Sequence, residues 1–264
     1  TNYFLLYTVI LIISSKIHFS TTGLQMRQLT LIYTLIIFLT GYVSAQQKSV
    51  VNKYNSKGSI WMGAVAGPSL LIEKAPDSLV PQIQDYFNSL RSGWHYGFET
   101  EYFFNKYIGL GVKYNRFSSK QDADSIVVKF FSTILYIDLS NEINVHTLSP
   151  MVYGRLPLLN DRLSITGGIG PAWLLYRNIG KAVGDTAMFK GSSPGLSTSL
   201  FIGYEVFPNL NIGLQTSYIH AFLKEFTSDN GTTEEVIKLE EENYQNISRL
   251  DFSFGVFYTL RWKK

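Results

Sequence analysis

The residues of this sequence best placed to do chemistry are charges set into apolar, alternating stretches. Glu99 and Glu101 stand in GWHYGFETEYFF, Lys113 in IGLGVKYN, Arg155 in MVYGRLPL, Glu205 in LFIGYEVF and Arg261 in FGVFYTLRW. If each stretch is extended, these six fall on the face that also carries glycines and small polar residues, while aromatic and aliphatic residues take the other. Two chemistries are open to them. Enclosed together, they can pair and fill an interior, because a buried charge persists only when paired and hydrogen-bonded. Otherwise they line a gated ion path or supply catalytic carboxylates. A packed polar interior is the expectation.

His95, His146 and His220 are isolated, without the spacing to one another or to carboxylates that would suggest a metal site. Cysteine is absent, which rules out a disulfide framework and a thiolate nucleophile. The formal charge of +3 comes from scattered rather than clustered basic residues, so a nucleic-acid partner is not expected. Neither a cofactor nor a metal is implied.

The elements that must position these charges are strands. The last of them, about Asn246–Trp262, carries LDFSFGVFYTLRW, which sets Leu250, Phe252, Phe254, Val256, Tyr258, Leu260 and Trp262 on one face. Opposite them stand Asp251, Ser253, Gly255, Thr259 and Arg261, with Phe257 the one large apolar residue. Seven more stretches read the same way, about Ser59–Ile72, Ser92–Phe104, Tyr107–Ser118, Glu142–Leu156, Arg162–Arg177, Gly195–Phe207 and Asn209–Lys224. No segment offers a helix to cover the apolar faces. Lipid can cover them, and a lipid-facing strand needs about 9–11 residues of this alternation.

The connections point the same way. Asn105-Lys106, Pro157 to Asp161, and Pro208 are short turns. Glu73 to Arg91, Ser119 to Asn141, Asn178 to Pro194 and Glu225 to Gln245 are long. Strict alternation of short and long connections suits a transmembrane barrel with periplasmic turns and external loops, whereas a sandwich has no reason for it. The fold expected is therefore an all-β, eight-stranded antiparallel up-and-down transmembrane barrel. One alternative stays open: SIVVKFFSTILYIDLS, Ser125 to Ser140, reads as strand extending beyond the membrane or as an external hairpin, and otherwise as spanning strand, which would give ten.

Aromatic residues gather near both strand ends, Tyr102, Tyr107, Tyr204, Tyr258 and Trp262 at the short turns and Trp94, Tyr114, Trp173 and Tyr218 nearer the long loops. Interfacial girdles account for them. Glu225 to Gln245 holds seven acidic residues against Lys238, a solvated loop or a site for cations or a basic partner. Asn230-Gly231-Thr232 matches a glycosylation sequon, of little weight in a barrel of this kind.

At the N-terminal end, Met26-Arg27, the apolar run LTLIYTLIIFL and the small residues Val43-Ser44-Ala45 form a secretory signal over 26–45, with cleavage before Gln46. Residues 1–25 then read as sequence upstream of the true start. Residues 46–57 are a polar lead-in, and 58–264 the barrel.

A signal before Gln46-Gln47, eight strands and an aromatic-rich closing strand together resemble the small outer-membrane β-barrel domain family, which includes OmpX-like, OmpA-transmembrane-like and PorT-like proteins. The resemblance covers Gly58 to Trp262 and rests on pattern, not on a signature motif. It implies location in the outer membrane among lipid and lipopolysaccharide. It also implies insertion by the barrel-assembly machinery, for which Phe254, Val256, Tyr258, Leu260 and Trp262 would be the closing-strand signal. Lys263 and Lys264 after Trp262 depart slightly from the usual aromatic end. Activity is not expected to be enzymatic, and the external loops would serve binding, adhesion or envelope integrity. Family members also suggest an accessory part in a protein-secretion machine, lipid A modification, or a narrow conduit for small hydrophobic molecules. Lipid A deacylases of this build use a His–Ser pair with a carboxylate near the external rim. His220 has no adjacent Ser, and His146 is followed only by Thr147 and Ser149, a weak match.

Overall fold

A computed structural model describes residues 58–73, 81–130, 133–159, 161–182, 185–229 and 233–261. The signal at 26–45, the segments at 1–25 and 46–57, Trp262 and the Asn230-Gly231-Thr232 sequon lie outside the described residues.

Alternating apolar and small or polar residues produce strands because successive side chains of an extended chain point to opposite faces. The strands are β1 (Ser59–Leu71), β2 (Ser92–Phe103), β3 (Ile108–Phe130), β4 (Thr133–Leu158), β5 (Leu163–Ala182), β6 (Asp185–Phe207), β7 (Leu210–Leu223), β8 (Glu225–Asp229), β9 (Glu234–Lys238), β10 (Gln245–Asn246) and β11 (Arg249–Arg261). β1 to β7 pair in sequence, β7 pairs with β11, and β11 closes on β1, all antiparallel. The wall is thus an eight-stranded closed barrel. Closure leaves no unpaired edge within it, the condition for a sheet to stand in hydrocarbon.

Ser125 to Ser140 lies outside the membrane and is not a spanning strand. β3 and β4 run on as one antiparallel ladder out to Phe130 opposite Thr133, with a register shift between Ala123 and Ile126, and add no spanning strand. Two expectations need correcting. Asn178 to Pro194 is not a loop: β5 and β6 pair continuously to Ala182 opposite Asp185. Outside the membrane a strand needs no apolar face, so the alternation that marks it inside is missing. The chain also does form a helix, α1 (Pro81–Ser89), in the first long connection. Pro81 suits a first helical turn, and tertiary contacts hold this short segment in place. Tyr86 and Leu90 are buried, and the Tyr86 hydroxyl donates to the Gln121 carbonyl at 3.1 Å and to Asn141 Oδ1 at 3.0 Å.

β8 and β9 form a hairpin that joins β6 through Lys190 opposite Thr227. The acidic connection from Glu225 is therefore partly sheet. The short turns sit at the opposite rim. Asn105 Oδ1 accepts from the Tyr107 and Ile108 amides at 2.7 and 2.9 Å, and Asn209 takes a φ of 69°, which Asn tolerates. In the β4–β5 ladder, pairing breaks between Leu148/Trp173 and Val152/Ile169, where Pro150 and Pro171 lack amide donors. A side chain at Gly170 would put its Cβ 1.9 Å from the Pro150 carbonyl, so only glycine lets the strands approach there.

Candidate functional site

The wall sorts side chains cleanly. Trp94, Tyr96, Phe98, Leu110, Val112, Leu148, Trp173, Ile202, Phe252, Phe254 and Val256 are all exposed on its outer face. They are the surface lipid must cover. The lumen is filled in three layers. At the external mouth, Phe117, Val145, Leu174, Ile219 and Leu223 pack with Tyr86 and Leu90 of α1. At the periplasmic end, Trp61, Phe103, Met151, Tyr153, Phe201 and Phe257 form a second apolar cluster, with the Phe201 and Phe257 rings 4.5 Å apart. Between them lies a polar layer.

Two ion-pair centres occupy that layer. Lys113 Nζ stands 3.0 Å from Glu99 Oε1 and donates to Ser217 Oγ at 2.7 Å. Glu99 also accepts from Gln215 Nε2 at 2.9 Å and from the Tyr153 hydroxyl at 3.4 Å. The second centre is Arg249 with Asp251, Nε to Oδ1 at 3.3 Å, an ionic contact without hydrogen-bond alignment. Arg249 Nη2 donates to Asn115 Oδ1 at 2.7 Å and to Thr147 Oγ1 at 3.2 Å. Asp251 accepts from Ser69 and from Asn115 Nδ2, and His95 Nδ1 lies 4.0 Å from it. Arg249, Asp251, Glu99, Lys113 and His95 are all essentially inaccessible to solvent.

The six charges singled out from sequence thus separate into four places. Glu99 and Lys113 form one centre. Glu101 is buried two residues nearer the periplasm, with Oε2 unpartnered. Arg155 lies at the periplasmic end, its guanidinium 4.8 Å over both the Trp61 and Phe103 rings while Nε donates to the Lys106 carbonyl at 3.1 Å. Glu205 and Arg261 pair at 3.6 Å on the periplasmic rim, where Arg261 is 51% exposed and so does not belong to the interior. In the closing strand Phe254, Val256, Tyr258 and Leu260 face outward. Arg249, Asp251 and His95 are the interior residues not picked out from sequence. Their signal was present: Asp251 continues the polar face of the last strand, and Arg249 is the next residue on it.

His220 faces outward on β7, and the fold supplies a serine the sequence does not put beside it. Ser248, in the break between β10 and β11, brings Oγ to 3.2 Å from His220 Nδ1, which also lies 3.2 Å from the Tyr218 hydroxyl. Ser248 is 1% exposed, and its Oγ accepts from the Ala221 amide at 3.1 Å. His146 Nδ1 instead meets the Tyr114 hydroxyl at 2.7 Å.

With the lumen occupied from rim to rim, planar-bilayer recordings of the reconstituted protein should show no sustained current. A steady open-channel conductance would show that the three layers do not close it.

A closed antiparallel barrel with an apolar outer wall, a filled lumen, short turns on one rim and long segments on the other is a small transmembrane barrel of the outer membrane. A family model for the outer membrane protein beta-barrel domain matches residues 82–259, and the chain belongs to that family. Among solved structures, a major outer membrane protein from Thermus thermophilus aligns at a TM-score of 0.52 and 13% identity, over 77% of this chain and 99% of that one. OprG from Pseudomonas aeruginosa aligns at 0.49 and 12%, over 78% and 97%. The outer membrane protease OmpT from Escherichia coli aligns at 0.43 and 9%, over 78% and 96%. At these identities the likeness is one of fold. No curated protein matches the sequence.

Proposed function

We propose that the protein is a non-enzymatic surface-binding barrel whose working part is the sheet that β3 to β6, β8 and β9 raise beyond the external rim. One observation carries this reading. β3, β4, β5 and β6 run to 23, 26, 20 and 23 residues, while β1, β2, β7 and β11 have 12 to 14. Crossing the membrane takes about 9–11 residues. Half the wall therefore projects well beyond what spanning requires, and a projecting sheet offers edges to which a partner strand can add. The test replaces residues 121–139, 178–194 and 225–244 with short turns and measures binding of whole cells to host or neighbouring-cell surfaces. Loss of binding with unchanged heat-modifiable gel mobility supports the reading; unchanged binding rejects it.

The His220–Ser248 contact favours a second reading, acyl transfer on an outer-leaflet lipid, since a base within reach of a hydroxyl is the elementary unit of nucleophilic catalysis. Against it, the Ser248 hydroxyl is buried and engaged by backbone. Comparing lipid A acylation in wild-type and Ser248→Ala strains separates the two, because only the catalytic reading predicts a change.

A further inference from the structure

The outer wall carries cations that the fold leaves without counter-charges among the described residues. Arg116 sits on the outward face of β3, opposite Tyr96 of β2 and His146 of β4. Its Nη1 donates to the Tyr96 hydroxyl at 3.0 Å and its Nη2 to Asn144 Oδ1 at 2.9 Å, with the guanidinium 5.9 Å over the Tyr96 ring. Its Nε is buried and has no partner, and no described carboxylate is in ion-pair contact with it. Toward the external rim, Arg177 of β5 lies opposite Asn144 on one side and directly opposite Lys190 of β6 on the other. Both are exposed. Asp229 pairs with Lys190, so of these two facing cations Arg177 is the one left without an ion-pair partner among the described residues. The nearby carboxylates are engaged elsewhere. Asp229 lies 3.8 Å from Lys190, Asp122 pairs with Lys120 at 3.1 Å, and Glu142 accepts from Asn144 Nδ2 at 2.8 Å. None of these is an ion-pair partner of Arg116 or Arg177.

Depth identifies the missing anion. Arg116 lies beside Tyr96, two residues from Trp94, which is 68% exposed, while Trp173, 52% exposed, faces Leu148 on the next ladder. Such exposed Trp and Tyr mark the level where hydrocarbon gives way to headgroups. Leu175, opposite His146, and Leu148, two residues further in on β4, are apolar and exposed on this wall and fit acyl chains. A guanidinium at that level matches a phosphate with paired N–H donors. His146 adds a ring nitrogen to it, with Nδ1 2.7 Å from the Tyr114 hydroxyl.

We propose that Arg116, His146 and Arg177 form a site on the outer wall for the phosphate group of an anionic outer-leaflet lipid, whose acyl chains lie against Leu148 and Leu175. It is independent of what the projecting sheet binds. The test reconstitutes the full-length protein in phosphatidylcholine nanodiscs doped with diphosphorylated lipid A or with its dephosphorylated form, extracts it into mild detergent, and counts retained lipid by native mass spectrometry. Wild type should retain the phosphorylated lipid over the dephosphorylated form by about tenfold or more, and Arg116→Gln/Arg177→Gln should abolish the preference while keeping heat-modifiable mobility. Should the double variant fail to fold, Arg177→Gln alone, a change at an exposed side chain, must lower the preference. Equal retention of the two lipids by wild type overturns the proposal. So does unchanged preference in the folded variants. Displacement of the lipid by inorganic phosphate would assign the site to the free ion and overturn the lipid reading.

Discussion

Arg249→Leu is expected to cost roughly 3–5 kcal/mol of folding stability, the range for removing one partner of a buried ion pair. Both side chains of the Arg249–Asp251 pair are wholly buried. Without the guanidinium, Asp251 keeps only Ser69 and Asn115 as donors and lies in a lumen closed at both ends by apolar clusters. The loss arises from an uncompensated carboxylate more than from the missing attraction. Arg249→Leu/Asp251→Leu should therefore recover most of the stability, since an apolar pair in place of a buried ion pair is often neutral or better. Folding into lipid vesicles, followed by urea titration with heat-modifiable mobility as the readout, measures both. A single variant that loses less than about 1 kcal/mol, the scale of a solvated pair, would show that water reaches this layer. That result would also contradict the closed lumen.

Val256→Arg is expected to cost roughly 2–4 kcal/mol, the range for Arg near the bilayer midplane on a barrel's lipid face. Val256 lies near the middle of β11, faces outward and is 39% exposed. Val206 is its control. It is also 39% exposed on the outer face, but it lies one residue from the periplasmic end of β6. There the same substitution should cost about 0–1 kcal/mol, because an arginine at the interface reaches headgroups and water. The same urea titration distinguishes them. Equal losses at the two sites would mean that the damage is local packing rather than depth in lipid. Replacement at Gly255 would act differently, since a Cβ there meets Phe201, Phe257 and Val65 at 3.1 to 3.2 Å inside the lumen.

The facing of each strand was legible in the sequence because it depends only on the chain's local geometry. Two-residue periodicity puts Phe254 and Val256 outside and Asp251 and Thr259 inside, whatever the neighbouring strand is. The barrel class was legible for a related reason. Lipid demands apolar residues on one face over a limited length, and the regular order of short and long connections follows from an up-and-down path through it. The same dependence on lipid explains the failures. Beyond the membrane the demand ends, so the outer ends of β5 and β6 carry no alternation and read as a loop. The segment from Pro81 to Ser89 is too short to signal a helix and becomes one through Tyr86 and Leu90 packing over the barrel mouth.

Which interior charges meet was decided by tertiary structure. Glu99 and Gln215 are 116 residues apart, Arg249 and Asn115 134, and Ser69 and Asp251 182. Alternation says that each points inward but not at what height, because height depends on the register of every strand around the closed wall. The closed register therefore groups Glu99 with Lys113, leaves Glu101 Oε2 without a partner, and sends Glu205 and Arg261 to the rim. It also sets Ser248 beside His220 and Arg177 opposite Lys190, two contacts that sequence spacing hides because each depends on how separate segments pair in the wall.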